Sequence, residues 1–233
     1  MKKLIRSLTK AELVLWITSV FLITLFFVLF DKQNYLALLS SLIGATSLIF
    51  CAKGHPFGQV LIIIFSIIYG YISYTFSYFG EMLTYVCMTL PMAVLSLIEW
   101  VRNPFKKGEP EVKVNRVSKK EIPFICTITL VVTVIFYFVL RYFNTANLIP
   151  STLSVTTSFV AVYLTFRRSP YYALAYAAND IVLIILWGLA SFYNISYISV
   201  VMCFVVFLIN DIYGYFNWLR MQKSQQQHTN NNY

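Results

Sequence analysis

The sequence predicts an all-α membrane protein with eight transmembrane helices, and three observations carry that reading. Of 233 residues, 59% are hydrophobic and only 12% are charged, about half the charged share of a soluble domain. The apolar residues fall in runs of about 20, which is what a helix rising 1.5 Å per residue needs to cross a 30 Å hydrocarbon layer. No stretch alternates apolar and polar residues as a barrel strand does, so backbone groups in lipid must be satisfied within helices.

Charged residues and Gly, Pro or Asn breaks divide the chain into spans at 11–30, 34–51, 57–79, 82–101, 122–143, 149–166, 171–193 and 196–219. The opening Lys2, Lys3, Arg6 and Lys10 resemble the start of a signal peptide. The apolar run that follows is long and lacks a small-residue cleavage site, so it reads as a retained helix. With the N-terminus in the cytoplasm, alternating loops collect 16 of the 18 Lys and Arg residues inside, leaving Lys32 and Arg141 outside. Cytoplasmic loops of membrane proteins gather such charge. This accounts for the net charge of +9 without a nucleic-acid partner, and it places both termini in the cytoplasm. The Gln/Asn-rich tail from Lys223 is expected to be disordered.

A long basic break, 102–121, separates two halves that end at Trp100 and Trp218. A slide of 118 residues superposes those tryptophans and pairs Tyr69 with Trp187, Gly70 with Gly188 and Ser73 with Ser191. Three helices precede each tryptophan, and one helix intervenes, so the two units point the same way. The expected organisation is a tail and extra helix (1–33), a first three-helix repeat (34–101), the linker (102–121), a connecting helix (122–143), a second repeat (149–219) and a tail (220–233). This is a 3+1+3 parallel repeat with one helix outside it.

Polar residues inside apolar spans mark function or tie helices together. Asn179 and Asp180 lie in the middle of the seventh span, and Asn210 and Asp211 lie two-thirds along the eighth, followed by Tyr213 and Tyr215. Trp187 is two helical turns beyond Asp180 on the same face. An acid with an aromatic wall suits a flat, cationic or polar heteroaromatic ligand. Glu81 and Glu99 sit at the two edges of the fourth span and read as water-facing, and Pro91 between them predicts a kink.

Other chemistries are poorly served. His55 and His228 lie in a loop and a tail, so histidine catalysis or a metal cluster has no ligands within the membrane. There is no GxxxxGK[ST] loop for ATP. The four cysteines, Cys51, Cys87, Cys126 and Cys203, sit on separate spans and imply neither disulfide nor metal. An integral-membrane enzyme acting on a lipid or quinone is the alternative class, but it needs a nucleophile or metal ligands near one face. A sensor without flux is a third.

The run Asn210-Asp211-Ile212-Tyr213-Gly214-Tyr215-Phe216-Asn217-Trp218 resembles the closing motif of the PnuC family of vitamin transporters. Ala161-Val162-Tyr163-Leu164 with Arg167-Arg168, Tyr69-Gly70-Tyr71-Ile72, Gly80-Glu81-Met82 and Pro91-Met92 also fall at that family's spacings, so the likeness spans about 34–220. The resemblance implies facilitated diffusion of nicotinamide riboside across a bacterial inner membrane on a SWEET-like fold, without a cofactor, often as a homotrimer. Intracellular phosphorylation would trap the vitamin. Thr84, Tyr85, Met88 and Thr89 replace the family's polar run, Ala93 replaces a Gln, and Ala173 and Tyr176 stand where tryptophans are expected. Relatives carry thiamine, riboflavin or deoxynucleosides, so these departures bear on the substrate. The expected site comprises Tyr69, Asn179, Asp180, Trp187, Asn210, Asp211 and Tyr215.

Overall fold

A computed structural model of the chain describes residues 8–75, 79–106, 108–145 and 147–230. Lys2, Lys3, Arg6 and Lys107 of the charge pattern lie outside the described residues, as does the end of the tail. Eight helices among the described residues are long and apolar enough to cross a membrane. They are α1 (Lys10–Phe30), α2 (Tyr35–Ala52), α3 (Phe57–Thr75), α4, α5 (Ile122–Tyr142), α6 (Leu148–Phe166), α7 (Tyr171–Ser191) and α8 (Ile198–Asn230). Helix α4 is composite, with a π-helical turn at Thr84–Thr89 between Phe79–Leu83 and Leu90–Arg102.

Local chemistry sets the ends. Thr9 and Glu12 form a reciprocal capping box at the start of α1, and the Asn34 side chain accepts from Ala37 N–H to start α2. The His55 imidazole accepts the Phe57 N–H at 3.1 Å and opens α3. Burial, with Lys53 nearby, lowers the His55 pKa, which favours the neutral ring that can accept. The expected kink at Pro91 takes the form of the π-turn. Proline lacks an N–H and its ring crowds the carbonyl four residues back, and the turn before it rewinds so that Leu90 N–H reaches Tyr85 O.

Six helices close a ring, in which α2 packs on α3, α3 on α4, α4 on α6, α6 on α7, α7 on α8, and α8 back on α2. Helix α1 lies outside it against α8 and α2, and α5 lies outside it against α6. Gly58 permits the close approach of α2 and α3, since a Cβ there would stand 2.6 Å from the Cys51 sulfur and 2.7 Å from its backbone nitrogen.

The two halves meet through matched turns. After α2, Gly54 takes a left-handed conformation (φ 62°) and His55 N–H bonds to Phe50 O; after α6, Arg168 does the same (φ 56°) and Ser169 N–H bonds to Leu164 O. Both are helix-ending motifs that satisfy carbonyls left over by the last turn. Lys53-Gly54-His55-Pro56-Phe57 thus corresponds to Arg167-Arg168-Ser169-Pro170-Tyr171 at a spacing of 114 residues, four short of the spacing between the tryptophans. Each turn then receives an indole from the other half: Trp218 donates to Cys51 O at 2.8 Å, and Trp100 donates to Thr165 O at 3.0 Å. The two indoles are buried and touch, with ring centroids 5.4 Å apart.

Linker 102–121 is docked against this end. Val112 is fully buried, its N–H bonds to Gly54 O, and Asn115 N–H bonds to Arg168 O. Glu121 accepts from Arg167 at 2.9 Å and Tyr163 at 3.1 Å, and the Arg167 hydrogen bond lowers the Glu121 pKa. The expected disorder beyond Lys223 is not found through Asn230. Helix α8 continues because nothing after Lys223 breaks it and because Gln225 clasps the linker, donating to Glu111 and Val112 O and accepting from Val114 N–H.

Trp218→Phe and Trp100→Phe each remove one of two hydrogen bonds to a buried carbonyl, which costs about 0.5–1.5 kcal/mol. Thermal unfolding of the detergent-purified protein should show both losses, and the double variant should lose less than their sum because the rings touch. An unchanged melting temperature in either single variant would remove the pair from its structural role.

Candidate functional site

Inside the ring lies a central cavity lined by five of its helices and the π-turn. Its wall is aromatic and polar. Helix α3 supplies Gln59 and Phe65, the π-turn of α4 supplies Tyr85 and Thr89, α7 supplies Tyr172, Tyr176, Asn179 and Asp180, and α8 supplies Phe204, Phe207 and Asp211. Gly44 of α2 leaves room for the Phe207 ring, which a Cβ would meet at 2.6 Å.

The carboxyl groups of Asp180 and Asp211 lie against each other, on neighbouring helices, at hydrogen-bonding range. Both residues are nearly fully buried, and Asp180 Oδ2 meets no hydrogen-bond partner among the described residues. Among the described residues, no lysine or arginine lines the cavity. Asn179 is held by Ser154 and Thr157 of α6, which donate to its Oδ1 at 3.1 and 2.9 Å. Its amide nitrogen is thereby turned away from those hydroxyls. Gln59 is buried and donates to the Cys51 sulfur at 3.4 Å. Such a wall offers negative charge, ring faces and amide groups to one solute.

The expected site residues separate into two groups. Asn179, Asp180 and Asp211 line the cavity. Tyr69 lines an adjoining chamber instead. Asn210 points outward and donates to Ser19 of α1 at 2.9 Å and to Val206 O at 2.7 Å, which is the helix tie that its position also allowed. Trp187 is on the face of Asp180, but seven residues carry it about 10 Å farther along the helix, where it packs on Tyr197 with centroids 5.2 Å apart. Tyr215 packs near Tyr171 and the tryptophan cluster. Gln59 and Tyr172 were not singled out by sequence, and Tyr85 and Tyr176 were marked only as departures from the family pattern. Tyr176 carried the available signal, four residues before Asp180 on one helical face.

Six membrane-spanning helices closed around an aromatic cavity with a buried pair of carboxyl groups define a polytopic membrane transporter. The particular family is shown by the chain itself: residues 34–220 match the family described as nicotinamide mononucleotide transporter, and the chain belongs to it. It is similar to the nicotinamide riboside transporter PnuC of Neisseria mucosa, 27% identical over 200 residues that cover 83% of this chain and 75% of the relative. It is also similar to the nicotinamide riboside transporter PnuC of Haemophilus influenzae, 21% identical over 211 residues and 90% of each chain. The crystal structure of the vitamin B3 transporter PnuC shares the fold, with a TM-score of 0.81 over 94% of both chains at 23% identity.

The placement of Asn210 predicts a division of effects. Asn210→Ala should lower the melting temperature of the purified protein, because Ser19 and Val206 O lose a buried partner, and should leave ligand affinity within about two-fold by calorimetric titration. A ten-fold loss of affinity at unchanged melting temperature would return Asn210 to the cavity wall.

Proposed function

We propose that this chain imports nicotinamide riboside by facilitated diffusion through the central cavity. The observation that carries the proposal is the Asp180–Asp211 pair, buried in an aromatic wall that no lysine or arginine among the described residues neutralises. In a medium of low dielectric such a pair attracts a cation strongly, and Tyr85, Tyr172 and Tyr176 give a flat cation ring faces to stack on. Nicotinamide riboside has a pyridinium cation and a hydroxylated sugar, and it is the solute in the printed names of both relatives. Thiamine, also an aromatic cation, is the second reading on the same observation. The neutral alternatives, riboflavin and deoxynucleosides, make less use of two carboxylates.

The same charge argues against a phosphorylated cargo. A mononucleotide brings a phosphate that finds no cationic partner among the described lining residues and is repelled by the one negative charge a proton-sharing carboxyl pair can hold. It also gives metabolic trapping a physical basis, because phosphorylation inside the cell turns an attractive cargo into a repelled one, and no coupling ion is required. In this reading the basic linker, both termini and the tryptophan pair face the cytoplasm of a bacterium across its inner membrane, as the charge pattern favours. The division into repeats 34–101 and 149–219 around a connecting helix belongs to the same proposal, supported by the matched turns and crossed indoles. A homotrimer rests on the family resemblance.

Proteoliposomes containing the purified chain should equilibrate labelled nicotinamide riboside without an ion gradient. Asp180→Asn and Asp211→Asn should each lower initial uptake at least ten-fold, with Trp187→Phe within about two-fold of the parent. Absence of uptake by the parent chain, or full uptake by both Asp variants, would defeat the proposal.

A further inference from the structure

Beside the central cavity, toward the end of the bundle away from the tryptophan pair, is a second, smaller chamber. Its floor is shared with the central cavity through Tyr85, Ser158 and Leu183. Its wall differs in chemistry. Among the described residues its lining combines Leu140, Val155 and Leu186 with the hydroxyl-bearing Tyr69, Thr84, Thr145, Ser151 and Ser154 and one acid, Glu81. Glu81 is half-buried and accepts from the Tyr69 hydroxyl at 3.1 Å. None of the ion pairs formed by the described residues includes it.

The chambers are coupled by two features. Ser154 lines the outer one and donates to Asn179, which lines the inner one. Tyr85 stands between them on the π-turn, with its ring 4.5 Å from Tyr69 and 5.6 Å from Phe65. Single π-turns within helices are frequent at functional sites, and the residue dividing the chambers sits on the one in α4.

We propose that the Glu81 chamber is a second substrate station, which takes a hydroxylated cation before it passes Tyr85 to the carboxyl pair. The ligand class rests on the reading above that the cargo is cationic. Glu81 would hold the positive charge and the surrounding hydroxyls would meet the sugar, so the cargo exchanges one acid for another along its path. A two-station path keeps each binding event weak enough to release, as conduction requires.

The test uses the full chain and Glu81→Gln, which keeps the shape and a hydrogen-bond acceptor for Tyr69 but removes the charge. In proteoliposomes, uptake of nicotinamide riboside well below saturation should fall about ten-fold, while calorimetric affinity at the central site stays within two-fold and Asp180→Asn abolishes it. Unchanged uptake would overturn the second station, and so would a loss of affinity as large as that of Asp180→Asn, which would mean one site. A second arm needs no transported substrate. Thr145→Cys places a thiol in the chamber, and its reaction, taken as the gain over the parent chain, is compared for cationic and anionic methanethiosulfonates. The cationic-to-anionic rate ratio should drop at least five-fold when Glu81→Gln is added, and an unchanged ratio would overturn the proposal. If the parent chain carries no nicotinamide riboside, the cargo assignment fails and this ratio alone decides the chamber.

Discussion

A helix that ends inside a protein leaves carbonyls without partners, and at the two ends where the halves of this chain meet the missing donors are indoles. Cys51 O receives Gly54 N–H and Trp218 Nε1; Thr165 O receives Arg168 N–H and Trp100 Nε1. Each tryptophan therefore anchors its own helix to a turn of the opposite half. Because the rings also pack on each other, neither half can shift without breaking both bonds. The linker reinforces the same two turns through Val112 and Asn115. Fixing one end of the six-helix ring leaves the other end as the place where movement is cheapest.

That asymmetry orders the functional features along the bundle. The cross-bonded end carries the basic residues, the docked linker and the extended α8. The middle holds the carboxyl pair, contributed by adjacent helices α7 and α8 of one half, facing Phe65, Tyr85 and Thr89 from the other. The far end holds the hydroxyl-lined chamber and the π-turn. Rigid packing below and a π-turn above is a physical arrangement suited to alternating exposure of one site, in which small shifts at a helix defect open or close a path.

Of the two helices outside the ring, α1 has a role that its sequence hides. Helix α1 is attached by Ser19 to Asn210, by Trp16 to Thr46 at 3.1 Å, and by the buried Glu12 to Lys53 at 3.2 Å. These bonds hold α8 and α2 from behind, on the side away from the cavity. Asn210 and Asp211 are neighbours in sequence, yet a helix turns about 100° per residue, so one serves the scaffold and the other the cavity.

The amino-acid sequence by itself determined the eight spans and the charge asymmetry, and it marked Pro91 as a break in regular helix. Each of these is a local consequence of hydropathy, charge or backbone chemistry in lipid. It also marked Asn179, Asp180 and Asp211, because polar groups in an apolar span are costly wherever they point. Only the tertiary structure decided that Asn210, Trp187 and Tyr215 face neighbouring helices while Gln59, Tyr85 and Tyr172 face the cavity. Azimuth relative to a ring of six helices depends on how all six pack, and no one helix encodes it. The tail past Lys223 joined α8 for the same reason: Gln225 is a polar residue like its neighbours until the linker's Glu111, Val112 and Val114 are brought beside it.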